Sequence, residues 1–345
     1  MRFISEKLNP RGPFDERIIE NSTCDDVSPE SFLQLFEVLD NEPIRNLKND
    51  RAPDKILELL NAGEYNENGE FNLNNTGALF FARDIEKFNI DHEVKMVRFE
   101  GNDRLGIIDR LDSKNSFLIL LKEFEEFLQK NTKHGAIVRG MKRISIPEYP
   151  YEAVREAFIN AIAHRDYEME GSFITFYIYD DRIEITSPGN LPYPLTIKDL
   201  GKTENPAHRN KTICNLFSKT MYMEHVGTGI RRMEEAMVKN GLPKPEFYND
   251  NNFFKVILRG PNGKLIYDED DVNENILDLN EIGLNERQIT ALKKMVNANK
   301  SYTYKTYGKE FEVSKSTAIR DLNKLIKYEL IIKTKDQYPV LFIGK

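Results

Sequence analysis

Residues 152–167 read EAVREAFINAIAHRDY, and the fold follows from how this stretch lies. Ala153, Ala157, Phe158, Ala161 and Ile162 recur at helical spacing, a small-residue and apolar stripe of the kind that lets a helix lie against a sheet. Glu156 and Asn160 stand one helical turn apart and share a face. On a largely buried helix both need partners, because an unpaired buried carboxylate is strongly disfavoured. A bound cation or polar ligand would supply them. An exposed Glu beside a capping-type Asn is the plainer alternative, since a four-residue spacing of two polar residues is a short motif.

Two further pieces lie downstream. Residues 181–191, DRIEITSPGNL, put Ile183 and Ile185 on one face of a strand that runs into a Ser-Pro-Gly turn. Gly227, Thr228 and Gly229 then open a helix in EHVGTGIRRMEEAM. Glycines there let backbone approach a ligand, and the N–H groups and dipole of a helix start favour phosphate.

With these pieces in order, residues 150–258 resemble the GHKL-type ATPase-like domain of RecG-related transcriptional regulators. In that group the Glu-x-x-x-Asn helix runs into His-Arg-Asp-Tyr, as in His164 to Tyr167, and the Ser-Pro-Gly turn, the Arg209-Asn210 pair and a Gly-Thr-Gly-Ile-Arg segment recur. By likeness to the gyrase, MutL and histidine-kinase members, Glu156 is expected to orient or deprotonate an attacking water. Asn160 is expected to ligate Mg²⁺, and Gly227 and Gly229, with Thr228 between them, to close over the phosphates of ATP. Ser187 and Gly189 stand where those enzymes carry an Asp-x-Gly-x-Gly box that reads the adenine amine. The Asp and the second Gly of that box are absent here. A Ser hydroxyl can bond an amine, but charge-assisted bonds are roughly twice as strong as neutral ones.

The chain has 345 residues, enough for two or three domains, and a net charge of −7, which favours solubility and no general affinity for nucleic acid. No apolar run approaches the ~18 residues of a membrane span, and the N-terminus lacks a signal-peptide core. Cys24 and Cys214 are single and far apart, a spacing that suggests neither a disulfide framework nor a zinc site. A reducing cytoplasm is the expected location.

From Gly283 the character changes: 13 Lys or Arg stand against 6 Asp or Glu, a local +7 that leaves −14 on the remainder. Three helical patterns follow, capped by Asn285 and broken near Phe311 and Val313, and strands at 331–335 and 340–343 are expected to pair as a hairpin. This arrangement reads as a winged helix-turn-helix and resembles the DeoR-like module of the same regulators. Lys315, Ser316, Thr317 and Arg320 open the expected recognition helix, with Lys324 and Lys333 beyond, so double-stranded DNA is the expected partner.

Upstream, Ser28-Pro29 starts a helix with Phe32, Leu33, Leu35, Phe36 and Leu39 inward, residues 56–60 form a second, and Phe117 to Leu128 mark a third. Asn74-Asn75-Thr76-Gly77 reads as a turn into a buried strand at 78–81, and 93–99 as another strand. Pro13-Phe14-Asp15, the 75–81 segment and Arg98-Phe99-Glu100-Gly101 resemble the distal part of a Schlafen-type AlbA domain, without its opening acidic motif. Residues 261–282 carry Asp268-Glu269-Asp270-Asp271; lacking the Gly and Glu of a calcium loop, they read as a solvated linker.

The expected fold is therefore α+β: a partial AlbA/Schlafen-like domain over 1–140, a GHKL (Bergerat-type) α/β sandwich over 141–260, the linker, and the winged module over 283–345. Three functions are open to it. One is a DNA-binding regulator whose core senses a nucleotide. Another is an ATPase using Mg²⁺ to drive a conformational change or the closure of a homodimer. The third is an interaction scaffold with a vestigial ATP site.

Overall fold

The computed structural model describes residues 12–40, 52–132, 134–139, 142–202, 208–223, 227–261, 276–277, 283–298, 300–328, 330–334 and 337–338. The helix of the opening stretch, α5 (Tyr151–Ala163), follows α1 (Pro29–Val38), α2 (Pro53–Leu59), α3 (Asn75–Phe81) and α4 (Phe117–Asn131). It precedes α6 (Lys211–Phe217) and α7 (Gly229–Lys239). The strands before it are β1 (Gly63–Tyr65), β2 (Phe71–Leu73), β3 (Val94–Glu100), β4 (Gly106–Ser113), β5 (His134–Arg139) and β6 (Lys142–Pro147). Those after it are β7 (Ile174–Ile178), β8 (Arg182–Pro188), β9 (Glu246–Asp250) and β10 (Phe253–Arg259).

Six strands form one mixed sheet in the order β4-β3-β7-β8-β10-β9, in which only β3 and β7 run parallel. Period-two alternation sends Ile174, Phe176, Ile178, Ile183 and Ile185 to the covered face, where each is at most 1% exposed. α5 lies on that face across β7, β8 and β10, and its expected stripe of Ala153, Ala157, Phe158, Ala161 and Ile162 is buried. Phe158 stacks on Phe124 of α4 at 4.0 Å between ring centroids, and Phe176 meets both rings edge-on. Burying each such ring stabilises by about 1.5–3 kcal/mol.

One apolar core runs from Val27 to Leu258, so β3 and β4 share a sheet and a core with the elements after residue 140. The Pro13-Phe14-Asp15 run is fastened to the same body. Phe14 stacks on Tyr167 at 5.0 Å, and buried Asp15 accepts a 2.7 Å bond from the Thr212 N–H in the first turn of α6, where a helix start favours a carboxylate.

Two local readings are corrected. Residues 78–81 are helical, the end of α3, because the Asn74 side chain accepts from Gly77 N–H and caps a helix; all seven residues of α3 are buried, which erases the periodicity that would have revealed it. Leu33 of α1 is 52% exposed, while Leu35, Phe36 and Val38 turn inward.

β11 (Ile276–Leu277), within the expected linker, pairs in parallel with β6. Beyond it α8 (Glu286–Asn297), α9 (Tyr304–Glu310) and α10 (Lys315–Lys327) enclose a core of their own. Buried Asp321 ties them together, accepting from the Arg287 guanidinium at 3.1 and 3.2 Å and from the Tyr307 hydroxyl at 3.3 Å. Tyr302 bridges to Tyr338. The second strand expected at 340–343, the acidic run at 268–271 and residues 1–11 lie outside the described residues. Among the described residues no helix is long and apolar enough to cross a membrane.

Candidate functional site

α5 presents Glu156, Asn160 and His164 at four-residue steps to one cleft, whose other walls come from β8, β10 and the start of α7. Ser187 and Gly189 enter it from the end of β8, Gly229 from the first residue of α7 and Gly227 from just before it, with Met233, Phe254 and Val256 as apolar wall. Six of the seven residues expected at a nucleotide site thus meet in one place. The seventh, Thr228, is the residue before α7, and its carbonyl accepts from Arg232 N–H at 2.9 Å.

The Asn160 Nδ2 donates to Glu156 Oε1 at 3.0 Å, and Arg232 Nη2 lies 3.5 Å from Glu156 Oε2. The carboxylate is only 12% exposed, whereas the guanidinium is 39% exposed. A β-carbon on Gly229 would come within 1.8 Å of Glu156 Oε1, so glycine lets α7 start here with the Glu156 carboxylate undisturbed. Gly189 has φ +109°, and a β-carbon there would meet Asp166 Cβ at 2.8 Å. The Ser187 hydroxyl donates to the Ala161 carbonyl at 2.6 Å, which leaves its oxygen facing the cleft as an acceptor.

The residues after Asn160 hold this floor in place. Asp166 N–H donates to Pro188 O at 2.7 Å, and Arg209 bridges Asp166 Oδ2 at 3.1 Å to Asn190 O at 2.8 Å, which locks the Ser-Pro-Gly turn. Asn210 Nδ2 donates to Ala163 O and Arg165 O, satisfying carbonyls at the end of α5. Arg165 is fully buried over the Tyr167 ring. The His-Arg-Asp-Tyr run and the Arg-Asn pair therefore act largely as one knot.

Sequence reasoning did not single out His164, His208, Cys214 or Arg232 as site residues. Only His164 carried a signal, since it continues the four-residue stepping of Glu156 and Asn160; the others come from distant segments. Burial, with His208 and Arg209 nearby, holds the His164 imidazole down at about 4, and burial with Lys211 lowers His208, so both are neutral at pH 7. Burial, with Asp15, pushes the Cys214 thiol up to about 12.

α7 joins the cleft to the C-terminal unit. Its first residue faces Glu156; past its last turn the Asn240 carbonyl accepts a 2.7 Å bond from Asn297 Nδ2 of α8, and Gly241, at φ +78°, lies against Lys294. On α10, Lys315, Ser316 and Arg320 are exposed, as is Lys333 beyond it. Ser314 caps the helix by accepting from Thr317 N–H, with the Ser316 and Thr317 hydroxyls at 2.9 and 3.1 Å from its oxygen. Lys324 instead donates to the Gly283 carbonyl within its own unit.

Residues 171–258 match the family model described as "Putative ATP-dependent DNA helicase recG C-terminal", which supports a RecG-related ATPase-like region. The match covers β7 to β10, α6 and α7 and begins after α5. The fold as a whole is similar to the DIP2311 protein from Corynebacterium diphtheriae, with a TM-score of 0.59, 19% identity and 97% of this chain covered. The chain spans 66% of the length of that structure's chain. No curated protein matches the sequence.

Proposed function

We propose that the protein is a DNA-binding regulator whose ATPase-like core senses a nucleotide in the α5–α7 cleft. The observation that supports this most is the meeting of Glu156, Asn160, Gly227 and Gly229 at the start of α7, with Gly229 packed so tightly on Glu156 that any side chain would fill the space. The residues suit Mg·ATP: a carboxylate and an amide oxygen are the hard ligands Mg²⁺ prefers, and a glycine-bounded helix start receives phosphate. Asn160 would hold the metal, which when bound neutralises phosphate charge. Gly227 and Gly229 would border the phosphates, and Ser187 would accept from the adenine amine. Arg232 must move off Glu156 before that carboxylate can orient a water, and its exposure permits this. The C-terminal unit would serve as a winged helix-turn-helix, with the start of α10 on DNA.

A calorimetric titration of the chain with ATP, with and without Mg²⁺, tests the reading. Asn160→Ala is expected to remove most of the Mg²⁺-dependent part of the affinity; an unchanged Mg·ATP affinity takes Asn160 out of the site. Gly229→Ala is expected to abolish nucleotide binding with little loss in thermal stability, because only the far end of the Glu156 side chain has to move. Equal loss of stability and binding would mean that the glycine serves the fold alone.

A further inference from the structure

We propose that His164, His208 and Cys214 form a transition-metal site of the zinc class, with three protein ligands and a fourth position open to the cleft. Their donor atoms lie within 4.8 Å of one another, and all three residues line the cleft wall. The two imidazoles are already stacked, 5.4 Å between centroids and 9° from parallel. Zinc–nitrogen and zinc–sulfur bonds of ~2.0 and ~2.3 Å set tetrahedral donors roughly 3.3 to 3.6 Å apart. Closing the set therefore takes on the order of 1 Å of movement, within reach of side-chain rotation by two half-buried rings.

Three features favour a soft or borderline cation here. Among the described residues His208 Nδ1 is buried with no hydrogen-bond partner, a cost that a metal bond would remove. Cys214 Sγ reaches only a weak contact at 4.0 Å, to Ala163 O. His164 follows the last residue of α5, where the negative end of the helix dipole favours positive charge. Two nitrogens and a sulfur suit zinc, whereas Mg²⁺ and Ca²⁺ take oxygen ligands. A three-ligand centre is the open kind, so its fourth ligand would be water or a donor atom of the molecule in the cleft. The assignment stands apart from nucleotide sensing, since none of its three ligands is among the residues given to Mg·ATP.

Zn²⁺ titrated into the full chain without nucleotide, in competition with a chromophoric chelator, is expected to fill one site per chain. Co²⁺ in its place is expected to give a thiolate-to-metal charge-transfer band. Losing an outer-shell partner alone costs 10–100-fold in metal affinity, so His208→Ala and Cys214→Ala should each lower Zn²⁺ affinity at least about tenfold. Cys214→Ala should also remove the band, and Cys24→Ala should change neither readout. His208 lies outside any helix and is partly exposed, so its variant is expected to fold, which its thermal transition checks. No uptake, uptake indifferent to His208→Ala, or a band that follows Cys24 would overturn the assignment. A failed ATP titration would not.

Discussion

ATP turnover by the Glu156→Gln chain is expected to fall by roughly 10²- to 10⁴-fold, the usual contribution of a general base, while Mg·ATP affinity stays within about twofold. Gln keeps the length of Glu and an oxygen able to accept from Asn160 Nδ2, so the geometry of the cleft is retained. The ion pair with Arg232 is lost, but its 3.5 Å separation and half-open guanidinium place it among pairs worth at most about 1 kcal/mol. Single-turnover hydrolysis with enzyme in excess is the measurement. Turnover undiminished in the variant removes Glu156 from the chemistry. A parent chain that binds ATP without turning it over rules out the motor and leaves the sensor.

DNA binding is expected to weaken steeply with salt. Lys315, Arg320 and Lys333 are exposed, whereas Lys324 is engaged with Gly283, so three to four phosphate contacts are expected in all. At a log–log slope of about −0.9 per contact, raising salt from about 50 to about 200 mM should cost roughly 40- to 150-fold in affinity. Lys315→Ala with Arg320→Ala should lower affinity at each salt concentration and flatten the slope by about two contacts. Arg320, if it reaches a guanine edge, should discriminate by about 1–3 kcal/mol at one base pair. Because the remainder of the chain carries −14, the segment 283–345 should bind mixed-sequence duplex more tightly than the whole. Anisotropy that shows no salt-sensitive binding by either would favour the scaffold.

The middle of the fold was legible because its signals are local. The stripe on α5, the alternation of β8 and the caps Ser28 and Asn285 each lie within one element, and each forms as read. α3 does not show itself in the sequence because Asn-Asn-Thr-Gly serves equally as a turn and as a cap, and total burial removes the polar face that separates helix from strand. The candidate site was legible where short motifs mark it, on α5, at the end of β8 and at the start of α7, but its further partners across the chain were not. Arg232 lies 76 residues from Glu156, and His208 and Cys214 reach His164 only after α6 has folded back beneath α5. Such pairings depend on topology, which spacing along one chain does not carry.

At 11 residues α7 is about 16 Å long, and a helix that short bends little. One end abuts the carboxylate of the cleft and the other is bonded to the second core, so α7 behaves as a strut between two bodies. At its far joint the Asn240 and Asn297 side-chain oxygens are buried without partners among the described residues, each at a cost of about 1–3 kcal/mol. On the reading of a nucleotide-sensing regulator, α7 is the connection through which the two sites would be linked, and linkage would make the effect mutual: a nucleotide that changes DNA affinity through this helix by some factor must have its own affinity changed by DNA by the same factor.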